Sequence, residues 1–150
     1  MSGLAARLRD MLDVAVAQGE LVRARWRLRH VEAGRLVASG GHARPGNADD
    51  APAQVAEVEI TRAERWARAV GRAARWGPVD AACLARSVAL HRMLCARGIA
   101  GSRVRFGVRT GPGGFEAHAW VTLGTRVLGD DPAFVARFRE LPDVTLSESP

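Results

Sequence analysis

The chain has 150 residues, of which 47% are hydrophobic and 25% charged, and its formal net charge is +6 at pH 7. This length suits one domain that buries about 70% of its unfolded surface and can fold without a disulfide or a metal ion. The composition excludes a largely disordered chain, and no apolar run approaches the ~20 residues of a membrane span. All 22 basic residues are arginines spread along the chain, so no basic cluster predicts nucleic-acid binding.

Helical periodicity dominates the first half of the chain. Apolar residues recur at three- and four-residue spacing over residues 4–38, where Gly19 bends or splits the segment. Residues 39–52 are rich in Gly, Pro, Asn and Asp, which is typical of a loop. Residues 53–76 again show one apolar helical face, and Gly77-Pro78 ends this second helix.

The next helix has the clearest end signals. Asp80 is its predicted N-cap, residues 81–97 form the helix, and Gly98 stops it. The apolar period then changes from 3.6 to 2, which indicates β-strands. These strands are predicted over residues 103–108, 115–123 and 126–130.

A two-residue turn at Gly124-Thr125 joins the last two predicted strands into a hairpin. After Asp131-Pro132, residues 133–141 have the pattern of a short helix. The order of helices first and antiparallel strands second indicates an α+β fold. In this fold the helix that carries the cysteines packs on a small antiparallel sheet.

The two cysteines occupy opposite ends of the same predicted helix. Cys83 lies in its first turn, where the helix dipole favours the thiolate, the nucleophilic form. Cys95 lies in the last turn, about 18 Å away, too far for a disulfide between the two. Free thiols indicate a reducing compartment, and residues 1–20 lack a signal peptide's apolar core, so we expect a cytoplasmic protein. Taken alone, a cysteine beside Leu84 and Ala85 in a helix is more often a small buried hydrophobic residue.

A histidine and two aspartates complete the set of reactive side chains. His118 lies between two alanines in the second predicted strand, where a buried imidazole needs partners. Asp130 and Asp131 end the neighbouring strand, and cross-strand pairs have Cβ atoms about 5 Å apart. A two-residue turn pairs His118 with Asp131, whereas a longer loop or a bulge pairs it with Asp130. The spacing leaves both pairings open, and either aspartate could instead cap the segment after the strand.

A cysteine at a helix N-terminus, a histidine on a strand and an aspartate on the adjacent strand form the papain-like arrangement. The aspartate fixes the imidazole tautomer, and the imidazole takes the thiol proton and later protonates the leaving amine. The cysteines and histidines have no recognised zinc-binding spacing. We therefore predict neither a metal nor another cofactor.

The segments that carry these residues also resemble a known family. In chain order, the most telling are CLARSVALHRMLCARGI, RVRFGVR, GFEAHAWVTL and RVLGDDP. Within residues 62–142 this ordered set resembles the transglutaminase-like cysteine peptidases of lasso-peptide biosynthesis, which implies a papain/transglutaminase-like fold. The resemblance implies a triad of Cys83, His118 and Asp130, because the family's aspartate follows its histidine by twelve residues. It also implies a slightly irregular hairpin.

The resemblance further implies a function and partners. Such enzymes remove the leader from a ribosomally made precursor peptide, and a separate ATP-dependent cyclase then closes the macrolactam ring. A small recognition domain, fused or separate, captures the leader. Because residues 1–61 lack a strand-rich start, we expect a separate recognition protein. The expected partners are thus the precursor peptide, this recognition protein and the cyclase, without nucleic acid.

Three further side chains are candidates for substrate contacts. Trp76 and Trp120 would shape the substrate groove, although core packing is equally typical of tryptophan. Glu116 would meet a basic leader residue or remain solvated. No glutamine lies close enough upstream of Cys83 to complete an oxyanion hole; the backbone N–H of Cys83 is one candidate donor, and the second donor stays open.

The predicted organisation is one domain over residues 1–150, with a helical part (1–61), a catalytic core (62–142) and a tail (143–150). Two other functions stay open on the sequence alone. One is amide acyl transfer by the same triad. The other is a non-catalytic module that binds an acidic peptide or a nucleic acid through its basic surface.

Overall fold

The computed structural model of the protein describes residues 2–30, 56–76 and 82–141. Within these ranges the helices are α1 (Ser2–His30), α2 (Glu57–Trp76), α3 (Cys83–Cys95) and α4 (Pro132–Val135). The strands there are β1 (Ser102–Gly111), β2 (Gly114–Leu123), β3 (Arg126–Leu128) and β4 (Arg139–Glu140). The predicted loop, the Gly77-Pro78 stop, the Asp80 cap and the C-terminal tail lie outside the described residues. None of the helices in these ranges has the length and apolar content needed to cross a bilayer.

Helix α1 is continuous through Gly19, so the predicted split at this position is wrong. A glycine within a helix costs about 1 kcal/mol relative to alanine. The opposite face of α1 buries Ala17, Leu21 and Ala24 completely, because α1 packs along α2 and α3. This burial outweighs the local preference of one exposed glycine.

Helix α2 confirms the predicted amphipathic helix, although its described start is Glu57 rather than residue 53. Its buried face consists mainly of alanines, which allow the neighbouring helices to approach closely. Two ion pairs join it to α1. Arg65 donates hydrogen bonds of 2.6 and 2.7 Å to both oxygens of the buried Asp13. Arg72 donates a 3.0 Å hydrogen bond to the exposed Asp10.

Helix α3 begins at Cys83 and ends at Cys95, shorter at both ends than the prediction. Gly98 adopts a φ of 72°. Its N–H donates to the Cys95 carbonyl at 3.0 Å, and the N–H of Ile99 donates to the Leu94 carbonyl at 3.0 Å. These two bonds form a Schellman motif, which confirms Gly98 as the stop.

The four described strands form one antiparallel sheet in the order β3-β2-β1-β4. In β1 and β2, Gly107 lies opposite His118 and Phe106 opposite Ala119. Leu123 pairs with Arg126, so the predicted two-residue hairpin turn is confirmed. Helices packed on this sheet give the α+β fold that the sequence predicted.

The predicted helix over residues 133–141 is wrong in its second half. Helix α4 ends at Val135, and β4 pairs with Gly107 and Val108 of β1. Strand β1 would otherwise present unpaired N–H and C=O groups at the edge of the sheet. The chain turns after α4, buries Phe138 and satisfies that edge, and the N–H of Leu141 donates to the Phe106 carbonyl at 2.8 Å.

The two faces of the sheet carry separate apolar clusters. The face with Val104, Val121 and Leu123 packs on α3 and α2 and shares one core with α1. The other face holds the Trp120, Val135 and Phe138 cluster. Because side chains alternate along a strand, the side chain of residue 118 shares the face of Trp120.

Candidate active site

Cys83 and His118 line the same groove at the N-terminal end of α3. The groove has a volume of about 250 Å³. Its other walls contain no charged side chain and consist of Leu84, Phe106, Gly107, Val108, Ala117, Ala119 and Leu141. The thiol therefore lies in an apolar recess beside the strand that carries the histidine.

His118 lies next to Asp130. Its Nε2 atom is 3.4 Å from Asp130 Oδ2, and the two side chains are 11% and 17% exposed. Nε2 is buried and has no hydrogen bond within the described part of the chain. The Asp130 carboxylate is therefore the group that faces this nitrogen.

The path of the chain after β3 brings Asp130 to His118. The hairpin ladder is regular, and its continuation would place Asp131 opposite His118. The ladder instead ends at Leu128, and Gly129 turns the chain away with a φ of 78°, a conformation that favours glycine. The turn has two residues, as the first predicted alternative requires, whereas the aspartate beside His118 is Asp130, as the second requires and the family resemblance implies. The implied irregularity comes after the ladder instead of interrupting it.

The Asp131 side chain caps a helix instead of facing His118. Its Oδ1 accepts a 2.9 Å hydrogen bond from the backbone N–H of Ala133 and caps α4. The proposed capping role therefore applies to this aspartate. The two neighbouring carboxylates are thus directed to separate partners, and only that of Asp130 lies against the imidazole.

Aromatic rings surround the His118 imidazole. Trp120 stacks at 6.2 Å between ring centroids, and the Phe134 and Phe138 centroids both lie at 5.3 Å. These contacts restrict the tilt of the imidazole. Sequence reasoning missed both phenylalanines, although their spacing of four in a predicted helix would have placed them on one face.

Trp120 is only 3% exposed, so it supports His118 rather than lining the substrate groove. The structure places Trp120 among packed side chains, which is the alternative that the sequence left open. Gly107 makes room for its ring across β1. A Cβ at Gly107 would lie 2.8 Å from Trp120 Cη2 and 2.9 Å from Phe138 Cβ.

Trp76 and Glu116, the other two predicted substrate-binding residues, also do not line this groove. Trp76 is 80% exposed and lines a separate groove with Met11 and Val14 of α1. Glu116 accepts hydrogen bonds of 2.9 and 2.5 Å from Arg109. The Glu116 side chain is 41% exposed, in agreement with the predicted solvated position, and it forms an ion pair with Arg109 at the sheet surface.

No hydrogen bond joins the Cys83 thiol to the His118 imidazole within the described residues. The alternation of β2 explains the separation, since the His118 side chain leaves the face of the sheet opposite to α3. Because Nε2 faces Asp130, the other ring nitrogen, Nδ1, is the one that remains for the thiol.

The backbone N–H of Cys83 has no acceptor within α3. The first backbone bond of the helix runs from the Arg86 N–H to the Ala82 carbonyl, so Cys83 is the first helical residue. Its N–H is one of the donors that a helix start leaves free. Among the described residues, no three Cys, His, Asp or Glu side chains come close enough to hold a metal ion.

The sequence profile of the transglutaminase-like superfamily matches residues 17–143. The chain belongs to this superfamily. The match confirms the superfamily that the motifs around Cys83 and His118 indicated. Transglutaminase-like proteins are typically cysteine peptidases or acyltransferases with a papain-like α+β fold. No curated protein and no solved structure gives a significant match to the chain.

Proposed function

We propose that this transglutaminase-like protein is a cysteine peptidase that removes the leader from a ribosomally made precursor peptide during lasso-peptide maturation. One observation carries the proposal. Cys83, at the start of a helix, shares a groove with His118, whose Nε2 lies 3.4 Å from Asp130. The peptide substrate and the lasso product rest on the resemblance of the motifs.

In the proposed mechanism, Asp130 accepts the Nε2 proton of His118 in a hydrogen bond and so leaves Nδ1 as the base. Nδ1 takes the Cys83 proton, and the thiolate attacks the scissile carbonyl carbon to form a tetrahedral intermediate. The N–H of Cys83 stabilises the developing oxyanion. The imidazolium then protonates the leaving amine as the C–N bond breaks. Water, deprotonated by the same imidazole, hydrolyses the thioester.

The proton transfer requires the thiol and Nδ1 to come within hydrogen-bond distance, loosely in the free enzyme and more tightly when the peptide enters the groove. Catalytic hydrogen bonds are often long without substrate and tighten only in the complex. Here the groove lies directly between the start of α3 and β2. A peptide bound in it would contact residues of both elements, with Cys83 and His118 among them.

The walls of the groove restrict the peptide. Leu84, Val108 and Leu141 offer apolar surface, and no charged side chain lines the recess. A buried apolar side chain gains about 25 cal/mol per Å² of surface removed from water. A charged side chain would lose its hydration without gaining a partner. The peptide accordingly presents an apolar residue next to the bond that is cleaved.

The proposal includes three partners. They are the precursor peptide, a separate recognition protein that binds its leader, and an ATP-dependent cyclase that uses the new N-terminus. The proposed compartment is the cytoplasm, which the two free cysteines, Cys83 and Cys95, support.

The test is mass spectrometry of a candidate precursor peptide after incubation with the protein and its recognition partner. The Cys83→Ala variant runs beside the wild type, and Cys95→Ala is the matched control because Cys95 is exposed at the other end of α3. We expect cleavage at one bond by the wild type and Cys95→Ala only. Equal cleavage by Cys83→Ala would remove this thiol from the mechanism.

Superfamily membership also favours amide acyl transfer by the same residues. In that reaction an amine, instead of water, takes the acyl group from Cys83. Adding a primary amine to the assay separates the two functions. A product that contains the amine, without a hydrolysed peptide, would replace the peptidase assignment. Tight precursor binding without any Cys83-dependent product would favour a binding module instead.

A further inference from the structure

Two residues shortly after Cys83 in α3 have no part in the mechanism above. Arg86 and Ser87 belong to one of the most characteristic sequence segments, and they lie three and four positions after the thiol. Residues at this spacing share one helix face. Both therefore extend from the side of α3 that carries Cys83.

Ser87 ties α3 to the strand of the histidine. Its side chain is buried, at 5% exposure, and its Oγ donates a 3.0 Å hydrogen bond to the Ala119 carbonyl. Ala119 is the residue directly after His118. This hydrogen bond thus joins α3 to β2 one helical turn after Cys83.

The end of β3 explains why the Ala119 carbonyl needs this donor. A longer hairpin ladder would place Asp130 opposite Ala119, in continuation of the Val121–Leu128 pair. In an antiparallel sheet, every second residue of a strand directs its backbone N–H and C=O groups to the same neighbouring strand. Ala119 therefore directs its carbonyl to the same side as Val121, the side of β3. Because β3 ends before it reaches Ala119, this carbonyl has no strand partner. Ser87 supplies the hydrogen bond that the strand no longer provides.

Arg86 holds the carboxylate that faces the histidine. Its Nη2 lies 3.5 Å from Asp130 Oδ1, while His118 Nε2 lies 3.4 Å from Oδ2. One carboxylate thus bridges a side chain of the nucleophile helix and the imidazole. The Arg86 side chain is 36% exposed, so its contact stabilises the fold little and acts mainly on the orientation of Asp130.

We propose that Arg86 and Ser87 are positioning residues that hold the helix of Cys83 in register with His118 and Asp130. Ser87 sets the helix against β2, and Arg86 sets the carboxylate against the imidazole. Neither side chain lines the groove of Cys83. The proposal rests on the peptidase function, because it presumes that the thiol and the imidazole act together.

The test measures alkylation of Cys83 by iodoacetamide between about pH 5 and pH 9, in a Cys95→Ser background. This readout needs no precursor peptide. A thiol paired with an imidazole is alkylated at acidic pH, whereas an isolated thiol reacts mainly above about pH 8. We expect Ser87→Ala and Arg86→Gln to lower the rate at acidic pH by roughly ten- to hundredfold.

Ser102→Ala is the matched control, since Ser102 is also a buried serine with a hydrogen bond, to His91 at the far end of α3. It should keep the wild-type pH profile. Ser87→Thr retains the hydroxyl and should restore most of the acidic reactivity. If the Ser87→Ala protein fails to fold, Arg86→Gln still tests the proposal, because Arg86 is half-exposed and its substitution should leave the fold intact.

The outcomes separate the two proposals. A folded Ser87→Ala and a folded Arg86→Gln with wild-type pH profiles would overturn the positioning role. A His118→Ala variant with the wild-type profile would overturn the thiol–imidazole pair and the positioning role with it. If only His118→Ala changes the profile, the pair stands and the positioning role fails. Fold is checked in each case by circular dichroism.

Discussion

The carboxylate of Asp130 lies 3.4 Å from Nε2 of His118, although the strand register points to Asp131 as its opposite residue. Asp130 reaches this position because the β2–β3 pairing ends at Leu128 and the backbone turns at Gly129. Two adjacent acidic residues consequently differ in their contacts, and substitution of each one should affect a different property of the protein.

We expect Asp130→Asn to lower kcat for precursor cleavage by about 10²- to 10⁴-fold with little change in stability, since it removes the partner of the imidazole. Asp131→Ala should instead cost about 1 kcal/mol of stability through loss of the α4 cap, and keep most of the activity. Steady-state kinetics and urea unfolding of both variants measure the two effects. The reverse pattern would assign the role to Asp131.

Leu84→Asp should raise the KM for the precursor by roughly tenfold or more, because it places a charge in the apolar groove. An acidic residue in the first turn of α3 is compatible with the helix dipole, so the fold should persist. Ala82→Asp is the control, since Ala82 is exposed and precedes α3 without lining the groove. Equal KM values in the two variants would argue against substrate binding in this recess.

Gly107→Ala should destabilise the protein by about 1–3 kcal/mol, because the new methyl group would collide with the Trp120 ring and with Cβ of Phe138. Trp120 lies at the centre of this contact, so its fluorescence should change as well. Gly19→Ala is the matched control, since nothing lies within 4 Å of a Cβ at that exposed helical position. It should stabilise the protein by about 0.5–1 kcal/mol. Denaturant unfolding compares the two.

Asp13→Asn should cost about 2 kcal/mol, since it leaves the Arg65 guanidinium without its two charged hydrogen bonds beside a buried position. Because the Arg65 side chain is half-exposed, the loss of stability should be smaller than for a fully buried ion pair. Thermal unfolding in buffers of low and high salt measures the difference. A loss that disappears in high salt would mean that only a screened surface interaction had been removed.

The Asp10–Arg72 pair predicts a pH dependence. The hydrogen bond from Arg72 lowers the pKa of the Asp10 carboxyl from its ordinary value of 3.8. A lowered pKa in the folded state stabilises the fold above the ordinary value, and this contribution is lost as the pH falls through the folded-state pKa. Asp10→Asn should therefore lower the unfolding temperature slightly at pH 7 and no longer do so in strong acid. An equal difference at both pH values would contradict the pairing.

Local patterns in the sequence determined much of this protein. The helical period of α2, the Gly98 stop and the two-residue hairpin turn depend on residues close in the chain, so they could be predicted without tertiary contacts. The ordered segments around Cys83 and His118 were sufficient to indicate the superfamily, because reactive residue types recur there in a defined order. Helix α1 shows where local patterns fail to predict the structure. It continues through Gly19 because its opposite face is buried against two other helices.

Only the tertiary structure decided how the candidate site is assembled. Strand β4 forms because β1 has a free edge, which no local pattern in Arg139–Glu140 reveals. Asp130 faces His118 because β3 ends early, and Ser87 takes the carbonyl that this end exposes. Such choices depend on which backbone groups lack partners after the sheet has formed, and that is a property of the packed molecule and not of any segment alone.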